Sequence, residues 1–130
     1  MSDSGAPVYS LRYTPRAYQD IKEATMRLAD LTGDHSLVAR WYDGLQKAAA
    51  TLATNPTRLQ VQVKESQRFG KEVRRLLYQR SAGSSAAYHL YFTVEDEGDD
   101  GPIVRILHVR HAARKPITGK EAGEIRKGDA

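Results

Sequence analysis

The run Ile103-Val104-Arg105-Ile106-Leu107-His108-Val109-Arg110-His111 carries apolar residues on both parities of a strand. Such a run reads as a buried strand. It leads directly into Ala112-Ala113-Arg114, a polar His-x-x-Arg corner after the last apolar residue. A buried strand ending in an exposed, cationic corner is the feature from which the rest of the chain can be placed.

Upstream, residues 8–13 alternate and predict a first strand. Thr14-Pro15 supplies a helix cap followed by proline at the first helical position, where its missing N–H costs nothing. Ala17, Ile21, Ala24, Leu28 and Leu31 then recur at spacings of three and four, one apolar helix face ended by Gly33. A second helix, capped by Asp34 or Ser36, carries Val38, Trp41, Leu45, Ala48 and Leu52 and stops at Asn55-Pro56. The short connection predicts an antiparallel helical hairpin. Residues 59–70 read as a loop with a short strand at 59–63. Strands are expected at 72–79, 87–95 and 103–111, joined by a turn at 82–86 and by an acidic turn around Gly98 and Gly101. The fold class is therefore α+β. An N-terminal strand and a two-helix hairpin precede a three-stranded antiparallel run, in one antiparallel sheet with the hairpin on one face and the other face or rim free. Residues 1–115 form the domain, and 116–130, polar and glycine-bearing, read as a mobile tail or a frayed helix.

Composition removes several chemistries. The chain has 130 residues, enough for one core, and no cysteine, which excludes disulfides, thiolate catalysis and cysteine-based zinc sites. No apolar run is long enough to span a bilayer and the first residues lack a signal pattern, so a cytoplasmic protein without a membrane partner is expected. No phosphate-binding glycine loop or paired-carboxylate site is visible, and no cofactor is expected. His108 and His111 fall on opposite faces of one strand, so a shared metal is not expected either. His35 falls in the turn between the helices.

The net charge of +4 is modest, but its distribution is uneven. Arg58, Lys64, Arg68, Lys71, Arg74, Arg75 and Arg80 face only Glu65 and Glu72 within their stretch, whereas positions 95–100 are acidic. The basic block reads as a surface for phosphate or an acidic partner, or as a solvated face. Arg74 and Arg75 on one strand, His89 on the next, and His111 and Arg114 after the last could meet in one patch. Arginine there would stabilise phosphate charge and histidine would move a proton near neutral pH. The same patch would suit an acidic protein surface.

Motif order then adds a resemblance. Tyr13-Thr14-Pro15-Arg16-Ala17 leading to Asp20-Ile21, the close at Asn55-Pro56, the basic strand Val73-Arg74-Arg75-Leu76, the aromatic strand Tyr88-His89-Leu90-Tyr91-Phe92 and the corner His111-Ala112-Ala113-Arg114 together resemble the RelE/ParE toxin family of bacterial toxin–antitoxin pairs. The resemblance covers roughly positions 8–115. It implies a growth-inhibiting toxin of a plasmid-stabilising module, with a cognate antitoxin that wraps grooves beside the hairpin and covers the basic patch. Arg74, Arg75, Arg110, His111 and Arg114 are then the expected partner-binding residues.

Two branches of the family differ in target. A RelE-like chain would be an endoribonuclease acting on messenger RNA in the ribosome, with Arg74, His89 and His111 as its catalytic groups. A ParE-like chain would poison DNA gyrase. Here His89 stands where the strand arginine is expected, Ala112 stands where a second arginine is expected, and no tyrosine follows Tyr91. Those departures favour the ParE-like branch, although Lys115 replaces an acidic residue often found after that branch's corner. A degenerate homologue that only binds an antitoxin is the third reading.

Overall fold

The computed structural model describes residues 8–79, 87–96 and 101–129. The expected turns at 82–86 and 97–100, and Arg80, lie outside the described residues. Strand β1 (Ser10–Tyr13) leads into helices α1 (Pro15–Thr32) and α2 (His35–Ala50). Two 3₁₀ turns follow, then the short helix α3 (Val63–Phe69). The chain continues through β2 (Arg74–Gln79), β3 (Ala87–Glu95) and β4 (Ile103–His111) and closes with α4 (Gly119–Asp129).

The sheet order is β1-β4-β3-β2. β2, β3 and β4 pair antiparallel as expected. β1 instead pairs parallel to β4, from Ser10 opposite Ile103 to Tyr13 opposite Ile106. The sheet is therefore mixed rather than wholly antiparallel, because the helical hairpin returns the chain in β1's own sense.

Each face carries its own core. The helical hairpin packs Ile21, Trp41, Leu45 and Leu52 against Leu90, Phe92, Val104, Ile106 and Val109 on the first face. The second face was expected to be free. It is covered instead by α3 and α4, where Phe69, Ile117, Ala122 and Ile125 pack on Val73, Tyr91 and Leu107. Of the two readings of residues 116–130, a mobile tail or a frayed helix, the structure has a helix over Gly119–Asp129, and it is packed on the core. Thr118 and Glu121 form a reciprocal capping box, with Glu121 N–H donating to Thr118 Oγ1 at 3.1 Å and Thr118 N–H donating to Glu121 Oε1 at 3.3 Å. Ile117 and Ala122, both fully buried, staple the same turn. α3 replaces the expected loop, and its Ser66 hydroxyl accepts the Val73 N–H at 2.8 Å.

Local rules set the hairpin. Thr14 caps α1 by accepting from Ala17 N–H at 3.1 Å, with Pro15 just inside, and Asp34 caps α2 by accepting from Leu37 N–H at 3.0 Å. Gly33 closes α1 in the left-handed region at φ 64°. Gly44 on α2 lies against Tyr78, and a Cβ there would stand 2.3 Å from the phenolic oxygen, which donates to the Trp41 carbonyl at 2.9 Å. Gly44→Ala should therefore cost about 1–3 kcal/mol, as overpacking does, read from the denaturation midpoint. A midpoint equal to wild type would show that the Tyr78 ring can swing aside.

Candidate functional site

The site grows from a change of partner along β4. β1 stops at Tyr13, opposite Ile106, and α1 takes over the exposed edge. Thr14 N–H donates to the Ile106 carbonyl at 3.0 Å and its hydroxyl to the Leu107 carbonyl at 3.1 Å. Nearly two helical turns on, Asp20 accepts the Val109 N–H at 2.9 Å. At the same place β4 carries a bulge opposite Tyr91 and Phe92. Leu107 joins the second core, and His108 stacks on Tyr91 with ring centroids 6.1 Å apart. The bulge reverses the parity of the strand. Val109 then faces the hairpin core, and His111 faces Tyr88, with centroids 5.1 Å apart.

A buried polar chain runs beneath this corner. Asp20 accepts from Arg16 Nε at 2.9 Å and lies 2.6 Å from His108 Nδ1. His108 Nε2 lies 3.4 Å from Arg110 Nη1. A guanidinium only donates, so Nε2 accepts and Nδ1 carries the proton toward Asp20. Arg110 is only 4% exposed. It donates to Glu121 at 3.0 and 3.4 Å and to the Lys115 carbonyl at 2.7 and 3.2 Å. The hydrogen bond from Arg110 holds the Glu121 carboxyl below its ordinary range, against the effect of its own burial. Arg110 therefore pins the turn after β4 to α4. That corrects its expected place on the partner surface, because its guanidinium is spent inside the molecule.

Above the chain lies a cleft walled by Asp20, Glu23 and Arg27 of α1, Tyr88 of β3, and His111 and Arg114. His111 Nδ1 accepts the Ala113 N–H at 3.0 Å, so in the neutral ring Nε2 carries the proton. Arg114 N–H donates to the His111 carbonyl at 3.1 Å and closes the turn. Burial raises the Tyr88 phenol above its ordinary range, and the Arg27 charge opposes that. The cleft thus offers a held imidazole and the Arg114 guanidinium on a preformed turn, beside the Tyr88 phenol of β3 and the Arg27 guanidinium of α1.

The remaining expected residues do not gather here. Arg74 faces the hairpin side opposite Phe92, whereas His111 stands opposite Tyr88. These positions are four residues apart along β3, a separation of about 13 Å at about 3.3 Å per residue. The Arg74 guanidinium donates to the Thr57 and Leu59 carbonyls and pairs with Glu72 at 3.1 Å. Arg75 and His89 lie on the opposite face with Tyr91. Burial, then the Arg75 charge, pushes the His89 imidazole down to about 4, with Glu65 opposing. The expected union of Arg74, His89 and His111 therefore fails, because sheet alternation sends His89 to one face and His111 to the other. The basic block is also partly structural, since Arg58 donates to the carbonyls of Thr51, Thr54 and Asn55.

His89 gives a pH prediction. Its folded pKa lies below the unfolded value of 6.5, so its contribution to stability is present above that pH. The contribution is lost as pH falls from 6.5 toward about 4. An NMR titration of the ring should show a midpoint near 4. A midpoint at the ordinary histidine value would mean that water reaches the ring freely.

Asp20, Arg27, Tyr88 and Glu121 were not among the expected site residues. The Thr118-Gly119-Lys120-Glu121 box was a readable signal for the last, and Asp20, Glu23 and Arg27 share one helix face by spacing. Nothing local announced Tyr88. Among the described residues, no helix is long and apolar enough to cross a membrane, and no three His, Cys, Asp or Glu side chains cluster as metal ligands.

Residues 11–116 match the family model described as the ParE toxin of the type II toxin–antitoxin system, parDE. The chain belongs to the ParE toxin family. No curated protein matches it significantly. As a ParE-family member it is the toxin side of a type II pair, and membership implies an antitoxin partner. The matched span includes the corner and ends at Pro116, so α4 lies beyond it.

Proposed function

We propose that this ParE-family toxin acts in the cytoplasm by poisoning DNA gyrase, with the His111–Arg114 corner as its contact surface. The dispersal of the nuclease set is the observation that carries this reading. Arg74 is occupied by two carbonyls and Glu72, and His89 lies on the opposite face of the sheet from His111. A ribonuclease built on these groups would lack a shared place for the scissile phosphate. A contact surface needs no such convergence. It needs a preformed shape, and the corner has one in the bonds from Ala113 N–H and Arg114 N–H to His111.

Induction in a bacterial host, followed by assays for gyrase-linked DNA breaks and for messenger cleavage, tests the reading. Breaks without messenger cleavage are expected. Messenger cleavage that falls by about 10²–10⁴-fold in His111→Ala, the usual worth of a general acid–base, would establish the RelE-like alternative instead. Unimpaired growth, with antitoxin binding intact, would leave only the binding module. For the antitoxin, an acidic docking segment should make association faster at low salt than at high salt. A salt-independent association rate would remove the cationic surface as the docking face.

A further inference from the structure

Helix α4 does more than cover the second core. Its Glu121 carboxylate reaches back to the corner and takes both Nη atoms of buried Arg110, and it lies 3.7 Å from Arg114 Nη2. Arg110 in turn holds the Lys115 carbonyl, the far end of the turn that presents His111 and Arg114. One carboxylate, placed by the Thr118–Glu121 capping box, therefore fixes both the closing residue of the turn and the head group of its terminal arginine. The Arg114 side chain is half-exposed, so without that partner its long stem would sample many rotamers in water.

We infer that Glu121 is a positioning residue for the corner: it pre-orders Arg114 and the His111 turn for the partner that they meet. The inference rests on the reading of the corner as the gyrase contact surface. It places a functional requirement on a helix outside the span that matches the family model. Pre-ordering matters because a side chain already held in its bound pose loses less entropy on association.

The test compares full-length wild type with Glu121→Gln, Arg114→Ala and the double variant, with Glu124→Gln as an exposed control on the same helix. The glutamine change keeps one acceptor oxygen for the capping box and Arg110 Nη2, but removes the charge and puts a donor-only NH2 where Oε2 faces Arg110 Nη1 and Arg114 Nη2. Two readouts are needed. The first is NMR order of the Arg114 side-chain Nε–H and the Ala113 amide, which uses no gyrase. Both should lose order in Glu121→Gln, while α4 amides and the control stay as in wild type. The second is trapping of purified gyrase on DNA, where Glu121→Gln should need on the order of tenfold more toxin, about 1.4 kcal/mol of affinity. In the Arg114→Ala background the same change should add little, since coupled residues are non-additive. An unchanged corner in Glu121→Gln would overturn the inference, as would a disordered corner with wild-type trapping. Wild-type toxin that traps no gyrase would overturn the gyrase reading alone, leaving the NMR comparison to decide whether Glu121 orders the corner. Should Glu121→Gln fail to fold, Glu121→Asp, which keeps the charge and shortens the reach, replaces it in both readouts.

Discussion

Asp20→Ala is expected to destabilise the protein by about 2–6 kcal/mol, the cost of leaving two buried donors, the His108 Nδ1–H and the Val109 N–H, without their acceptor. Asp20 is 9% exposed and is shared by Arg16, His108 and the Val109 N–H. Arg16 can turn to water, since a third of its side chain is exposed. His108 and the backbone donor cannot, because His108 is fully buried and the Val109 N–H lies on an edge that α1 covers. Each buried donor left unpaired costs about 1–3 kcal/mol. Asp20→Asn should cost less, because its amide oxygen can still accept from one of them. Urea denaturation with an unchanged slope reads the difference. A loss below about 1 kcal/mol would mean that water enters and replaces the carboxylate.

Trp41→Ala should cost about 3–5 kcal/mol, as deletion of a buried aromatic does. Trp41 is 3% exposed and packs edge-on against Tyr78 and Tyr88, with centroids 5.9 and 5.2 Å away. Tyr88 is also the wall against which His111 rests. The variant should therefore loosen the corner as well as the core, visible as altered His111 ring resonances under conditions where the chain stays folded. A stability near wild type would contradict the hairpin core, and unchanged His111 resonances would uncouple the core from the corner.

Strong local chemistry made much of the fold legible. Thr14-Pro15, the three-and-four spacing from Ala17 to Leu28, and Asn55-Pro56 marked the helical hairpin, and the bounds of β3 and β4 follow their apolar runs. The second helical layer was harder to read. α3 is a single short helix, and α4 carries Gly119 and Gly123, which lower helix propensity and hid its capping box and staple. The parallel pairing of β1 depends on how the hairpin returns, which is a tertiary fact.

At the site, the sequence marked the His111–Arg114 corner but misassigned Arg110. Strict alternation gave no sign that Arg110 would point under α4 toward Glu121. The bulge at Leu107 and His108 was equally invisible, yet it sets which face His111 meets. Asp20 looked like an ordinary surface acid on an amphipathic helix, because its role depends on where β1 ends.

Purified full-length protein incubated with gyrase and DNA, and in parallel with translating ribosomes and messenger RNA, tests the central claim most directly. Trapped, protein-linked DNA breaks that weaken in Arg114→Ala, with intact messenger throughout, is the predicted result. Ribosome-dependent messenger cleavage that disappears in His111→Ala, with no gyrase trapped on DNA, would contradict it.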